Sequence, residues 1–142
     1  MDSKTVKKLP YGISNFGVLA TGNYAYVDKT QFIEIMEKEG NPNHFFIRPR
    51  KFGKSLFFSM LSYYYDINLK NDFDKYFGNL YIGKNPTPER NSYAMLTFDF
   101  SGLDTSGEEE FKKSFSQKVE FSVRIFLNMN TTVFPDAKAL MQ

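Results

Sequence analysis

An apolar tetrad, His44, Phe45, Phe46 and Ile47, runs straight into the basic loop R-P-R-K-F-G-K-S at 48–55, and that loop opens a stretch that is apolar nearly all round a helix. No other part of the sequence narrows the possible folds as much. The tetrad has the pattern of a strand buried on both faces. From residue 54 to 65, Leu56, Phe57, Phe58, Met60, Leu61, Tyr63 and Tyr64 leave almost no polar side. A helix of that kind belongs at the centre of a fold rather than on its surface.

A strand, a tight basic loop and a helix in that order form the setting of a phosphate-binding loop, whose general pattern is G-x-x-x-x-G-K-[ST]. The second half of the pattern is intact here as Gly53, Lys54 and Ser55. Gly53 lets the backbone approach a phosphate with no Cβ in the way. The N–H groups opening the next helix point at the anion, and the helix dipole adds to the attraction. Lys54 can place its ammonium on the outer phosphates, and Ser55 can ligate the Mg2+ that bridges them. The first half departs from the general pattern. Arg48 stands where a glycine is usual, Pro49 removes a backbone donor, and Arg50, Lys51 and Phe52 complete the loop.

Around this centre the chain alternates between strand and helix signals. Residues 9–14 predict an extended arm with a turn, and 24–27 a short β-prone piece. Asp28 and Gln31 have capping-box spacing, Phe32, Ile33, Ile35 and Met36 give a helical apolar face, and Gly40 supplies a stop. A helix is therefore predicted over 29–39. A short helix is expected over 70–77 and a loop over 83–91. Residues 93–100 read as a second strand. Ser106 and Glu109 suggest another capping box, ahead of a long amphipathic helix over 107–128 carrying the pairs Glu108/Lys112, Glu109/Lys113 and Glu120/Arg124. A last short helix is expected from Asp136. Two strands joined through a helix predict a parallel crossover, hence an α/β fold.

Composition removes several function classes. The 142 residues suit one domain, and 42% hydrophobic with 24% charged residues is a globular balance. Sixteen Phe and nine Tyr can fill a core with few side chains. A net charge of +2 is too mild for bulk attraction to nucleic acid. With no Cys there is no disulfide or thiolate metal site, and with one His, His44, no multi-histidine zinc site. The charged start lacks the apolar core of a secretory signal, and no run reaches the ~18 apolar residues of a membrane helix. A cytoplasmic protein without membrane attachment is expected.

Five motifs in sequence carry a resemblance. L-P-Y-G-I-S-N-F (9–16), Y-V-D-K-T (26–30), F-I-R-P-R-K-F-G-K-S-L (46–56), F-G-N-L-Y-I-G (77–83) and T-F-D-F-S-G (97–102) together resemble the AAA-ATPase-like family. These are bacterial P-loop ATPases, often carrying a C-terminal nuclease-like domain of the PD-(D/E)XK type. The resemblance implies that R-P-R-K-F-G-K-S is the family's own Walker A form, with ATP as the nucleotide. It implies a partial P-loop NTPase fold, a small and mostly parallel sheet flanked by helices. One domain is expected over 1–142, with 1–23 as an extended arm and 24–142 as the α/β core. By analogy, the Y-V-D-K-T segment, with Tyr26 and Asp28, would lie near the adenine end. Tyr26 also reads as a packing ring, and Asp28 as a helix cap.

Hydrolysis needs an acidic residue for the metal and, in most such enzymes, a carboxylate that activates water. Asp99 is the candidate metal ligand besides Ser55, with Asp104 second, but no Glu follows Asp99. In the resembled family the acidic pair lies further along. The chain is therefore expected to be the N-terminal portion of a longer protein that binds nucleotide without turning it over alone, and to form a homo-oligomer. Contact with nucleic acid would come through a nuclease-like domain beyond it. Two alternatives remain: a loop that meets a nucleic-acid backbone with Tyr63, Tyr64 and Tyr65 stacking nearby, and an interaction scaffold that binds neither ligand.

Overall fold

The computed structural model of the chain describes residues 6–136. They divide into two compact units, Met1–Tyr93 and Ala94–Gln142. The expected α/β fold is not what forms. The described residues are 50% helix and 3% strand, and they contain no sheet. Extended pairing is limited to isolated parallel bridges, Lys8 with Tyr24 and Asp66 with Tyr93. The apolar pattern of 44–47 and 93–100 is real, but a strand exists only through a neighbour's N–H and C=O groups. Beyond the bridge at Tyr93, neither segment has a backbone hydrogen-bonded partner strand among the described residues. Phe45 and Ile47 stand 89% and 79% exposed, the reverse of a strand buried on both faces.

The first unit is built on helices α1 (Phe16–Thr21), α2 (Gln31–Glu39), α3 (Lys54–Tyr65), α4 (Phe73–Phe77) and α5 (Tyr81–Lys84), with a 3-10 turn at Ile67–Asp72 before α4. Phe16, Ile33, Met60, Tyr64, Phe73, Phe77 and Ile82 form its core. The rings interlock: Phe16 stacks on Phe77 at 4.9 Å, Phe77 on Phe73 at 5.2 Å, and Tyr64 meets Phe77 edge-on at 5.5 Å. Each such side chain contributes about 1.5–3 kcal/mol by leaving water. The helix expected over 54–65 forms with those bounds and sends Met60 and Tyr64 into this core. The helix expected over 70–77 is split between the 3-10 turn and α4. The helix α1 lies beyond what periodicity suggested. Asn15 caps it by accepting from the Val18 N–H, and Phe16 plugs it into the core.

The helix at 29–39 starts at Gln31, and Gly40 closes it in the left-handed conformation, φ 65°. Asp28 is not its cap. Its Oδ1 accepts from the Thr30 N–H at 2.8 Å and the Thr30 hydroxyl at 2.7 Å, while Oδ2 accepts from the Tyr81 N–H at 2.7 Å. The buried Thr30 hydroxyl accepts in turn from the Ile82 N–H at 3.1 Å. The start of α5 is thus capped by the segment that leads into α2, which ties together two motifs that are 53 residues apart.

In the second unit, α6 (Glu108–Met129) realises the long amphipathic helix. Three glutamates in its first turn suit the dipole. Lys112 pairs with Glu108 at 2.7 Å and Arg124 with Glu120 at 2.8 Å, as the spacing predicts. The expected Ser106/Glu109 box does not form. Gly107 holds the cap position, and Ser106 instead donates to Asp104 Oδ1 from both its N–H and its hydroxyl. Phe100 stacks on Phe115 at 5.2 Å, which lays 98–100 along the helix. The helix expected from Asp136 falls outside the described residues.

Candidate functional site

The loop at 48–55 ends where α3 begins. Gly53 is the residue before the helix, with φ 75° and ψ 20° in the left-handed region, and no side chain caps the first turn. The opening N–H groups of α3 therefore face outward without a side-chain acceptor, the arrangement that suits an anion. Lys51 also has positive φ, at 65°. A non-glycine residue in that conformation costs about 1–2 kcal/mol, and such strain collects where a loop must hold a particular shape.

The side chains add positive charge without internal neutralisation. Arg48, Arg50, Lys51 and Phe52 are exposed, as is Ser55. Among the described residues none of the loop's cations pairs with a carboxylate. Lys54 is half-buried, and its Nζ donates to the Arg48 carbonyl oxygen at 2.5 Å, closing the loop across its own base.

Two clefts adjoin this loop. The larger, about 350 Å3, lies between the apolar face of α2 and residues 44–46. Phe32, Ile35 and Met36 of α2 line it with Phe45, Phe46 and Phe57, and Arg48, Gly53 and Lys54 close the end nearest the loop. Small-molecule sites begin at roughly 300 Å3 and are mostly apolar with a few convergent polar groups. The smaller cleft, about 230 Å3, is walled by Pro10, Leu19, Tyr26, Leu56 and Met60, and it too reaches Gly53 and Phe57. Lys29 lines both clefts. No spacing rule singled Lys29 out. The available signal was its place as the lone cation of Y-V-D-K-T.

Tyr26 is half-buried, edge-on to Phe16 at 6.0 Å, with its hydroxyl 3.5 Å from Met60 Sδ. Burial pushes its phenol up to about 12; the Lys29 backbone N–H opposes this and the Asp28 charge reinforces it. Burial also raises Asp28, but the hydrogen bonds from Thr30 and from the Tyr81 N–H, with the charge of Lys84, outweigh it. Asp28 therefore stays below the usual carboxylate range. The tyrosines at 63–65 are absorbed in packing. Tyr64 is buried, Tyr63 meets Tyr76 edge-on at 4.9 Å, and the Tyr65 hydroxyl donates to Glu37 at 2.9 Å.

Asp99 belongs to the second unit. Its Oδ1 accepts from the Ser101 N–H at 2.9 Å, and Ser101 holds it below the ordinary aspartate value. Asp104 is occupied with Ser106 at the entry to α6. Among the described residues no group of three or more His, Asp or Glu side chains could hold a metal ion. No helix among them is long and apolar enough to cross a membrane.

A family model described as "Predicted AAA-ATPase" matches residues 10–140. An "Uncharacterized protein in vnfD 5'region" from Azotobacter chroococcum mcd 1 is 47% identical over 57 residues, which is 39% of this chain and 11% of that protein. The chain thus spans about a tenth of the length of that relative. No solved structure matches the chain.

Proposed function

The chain belongs to the AAA-ATPase-like family, and from that premise we propose that the loop at 48–55 binds the phosphates of a nucleotide, with ATP as the ligand. The observation that carries the proposal is the helix start at Gly53. An uncapped first turn, a left-handed residue ahead of it and cations without carboxylate partners among the described residues meet at one place. Together they supply backbone donors, close approach and charge, which is what a polyphosphate requires.

In this reading Lys54 leaves the Arg48 carbonyl and takes the outer phosphates. Arg48, Arg50 and Lys51 screen the remaining charge. Phe52 and Gly53 form the wall beside the ligand, since both line the larger cleft. Tyr26, on the wall of the smaller cleft, packs rather than stacks on the base. The residues fit a magnesium-bound nucleotide in one respect: Mg2+ keeps most of its waters and takes one or two protein oxygens, and the Ser55 hydroxyl is exposed beside Lys54. The ion would neutralise the phosphate oxygens; what this chain contributes is a hydroxyl and an ammonium held on adjacent residues.

The proposed activity is binding, and no side chain is assigned to activating water. Titration of magnesium-ATP against the wild type and Lys54→Ala tests it. Binding that is lost in the variant supports the reading. Absence of ATP binding together with steeply salt-dependent DNA binding would replace it with contact to a nucleic-acid backbone.

A further inference from the structure

The two clefts share only three residues, Lys29, Gly53 and Phe57. From the smaller cleft, which meets the loop only at Gly53, phosphates reach Arg48 and Lys54 past this junction, and in the larger cleft Lys29 lines the same wall as Arg48 and Lys54. Gly53 offers backbone there and Phe57 an apolar ring. Lys29 is the only charged group at the crossing.

The backbone of Lys29 is held from both sides. Before it, the Asp28 carboxylate is fixed by Thr30 and by the Tyr81 N–H at 2.7 Å. After it, Thr30 is fully buried, with its hydroxyl accepting from Ile82. The chain thus leaves Lys29 exposed on a rigid base, with no hydrogen bond or ion pair to its ammonium among the described residues. With its backbone fixed, Lys29 has only side-chain freedom to lose when an anion arrives.

We infer that Lys29 is a second phosphate-binding residue, contacting the phosphate nearest the nucleoside while Lys54 holds the outer ones. The inference rests on the nucleotide-binding reading above. It divides the work between two lysines from different helical entries, and that division gives each a distinct signature. ADP and ATP both carry the phosphate Lys29 meets, so removing it weakens both by the same factor. Removing Lys54 weakens ATP more than ADP.

The test is calorimetric titration of ADP and ATP, with Mg2+, into the wild type, Lys29→Met, Lys29→Arg and Lys54→Ala, with thermal melting of each. Lys29→Met keeps the apolar stem and removes the charge. The expected result is a loss of roughly tenfold in affinity for both nucleotides, the size of one charge-assisted contact, restored by Lys29→Arg, with unchanged melting. Wild-type affinity in Lys29→Met for both ligands overturns the inference while leaving the role of Lys54 standing. A loss that arrives with lowered melting and is not restored by Arg also overturns it, because Lys29 would then be acting through packing. If the wild type binds neither nucleotide, this inference and the reading it rests on fall together.

Discussion

Lys54 closes the loop that it belongs to: its ammonium reaches back six residues to the Arg48 carbonyl oxygen, 2.5 Å away. The same residue is the first of α3. Its backbone N–H opens the helix while its side chain ties the loop's beginning to its end. Nucleotide binding as proposed would exchange that internal contact for phosphate oxygens. The exchange is favourable because a charged acceptor makes a stronger hydrogen bond than a neutral carbonyl does.

Gly53→Ala tests whether the loop's shape depends on its left-handed residue. An added Cβ would meet nothing within 4 Å, so the cost is conformational rather than steric. A loss of about 1–2 kcal/mol is expected, read as a shift of the urea midpoint at unchanged slope. Nucleotide affinity should fall further than stability does, because the altered residue stands beside the bound anion.

Asp28→Asn removes the charge from the staple between α2 and α5. A loss of about 1–3 kcal/mol is expected, since the Tyr81 and Thr30 donors lose a charged acceptor. The carboxyl of Asp28 is held below its ordinary value in the folded chain. Its contribution is therefore present above the unfolded value, about 4, and is lost as pH falls through the lower folded value. Melting curves of the wild type below that pH should approach those of the variant.

Tyr26→Phe separates packing from ligand contact. The ring stays against Phe16 and only the hydroxyl beside Met60 is lost, so stability should change by no more than about 1 kcal/mol and nucleotide affinity should not change. In the wild type the raised phenol favours the neutral form in the folded chain. That stabilisation is complete below the free value of 10.0 and is lost as pH rises toward about 12. Ultraviolet titration of tyrosinate in the wild type and the variant reads it directly.

The helices were far more legible in the sequence than the pairing of the extended segments. Residues 54–65 declared α3 because seven apolar side chains at helical spacing have no other simple use. The interval from Glu108 onward declared α6 through its charge pairs, two of which form as spaced. Periodicity reports which side chains are apolar, and helices satisfy their own backbone. Strands do not, so 44–47 could look like a strand and still find no partner among the described residues. The caps at Asp28 and Ser106 were misplaced for a related reason. Each side chain found a better local or distant donor than the helix end that its spacing suggested. The start of α3 was legible through Gly53, Lys54 and Ser55, since the helix opens at Lys54. Lys29 was not, because its position between two clefts depends on how α2 is anchored to α5.

The proposed function rests on Lys54 holding nucleotide phosphate in the loop at 48–55. Isothermal titration of magnesium-ATP into the wild type and Lys54→Ala, with thermal melting of both, tests it most directly. Saturable binding by the wild type, weakened at least about tenfold in the variant, is expected, with little difference in melting. Equal affinity in the two proteins, or no binding by the wild type, would contradict it.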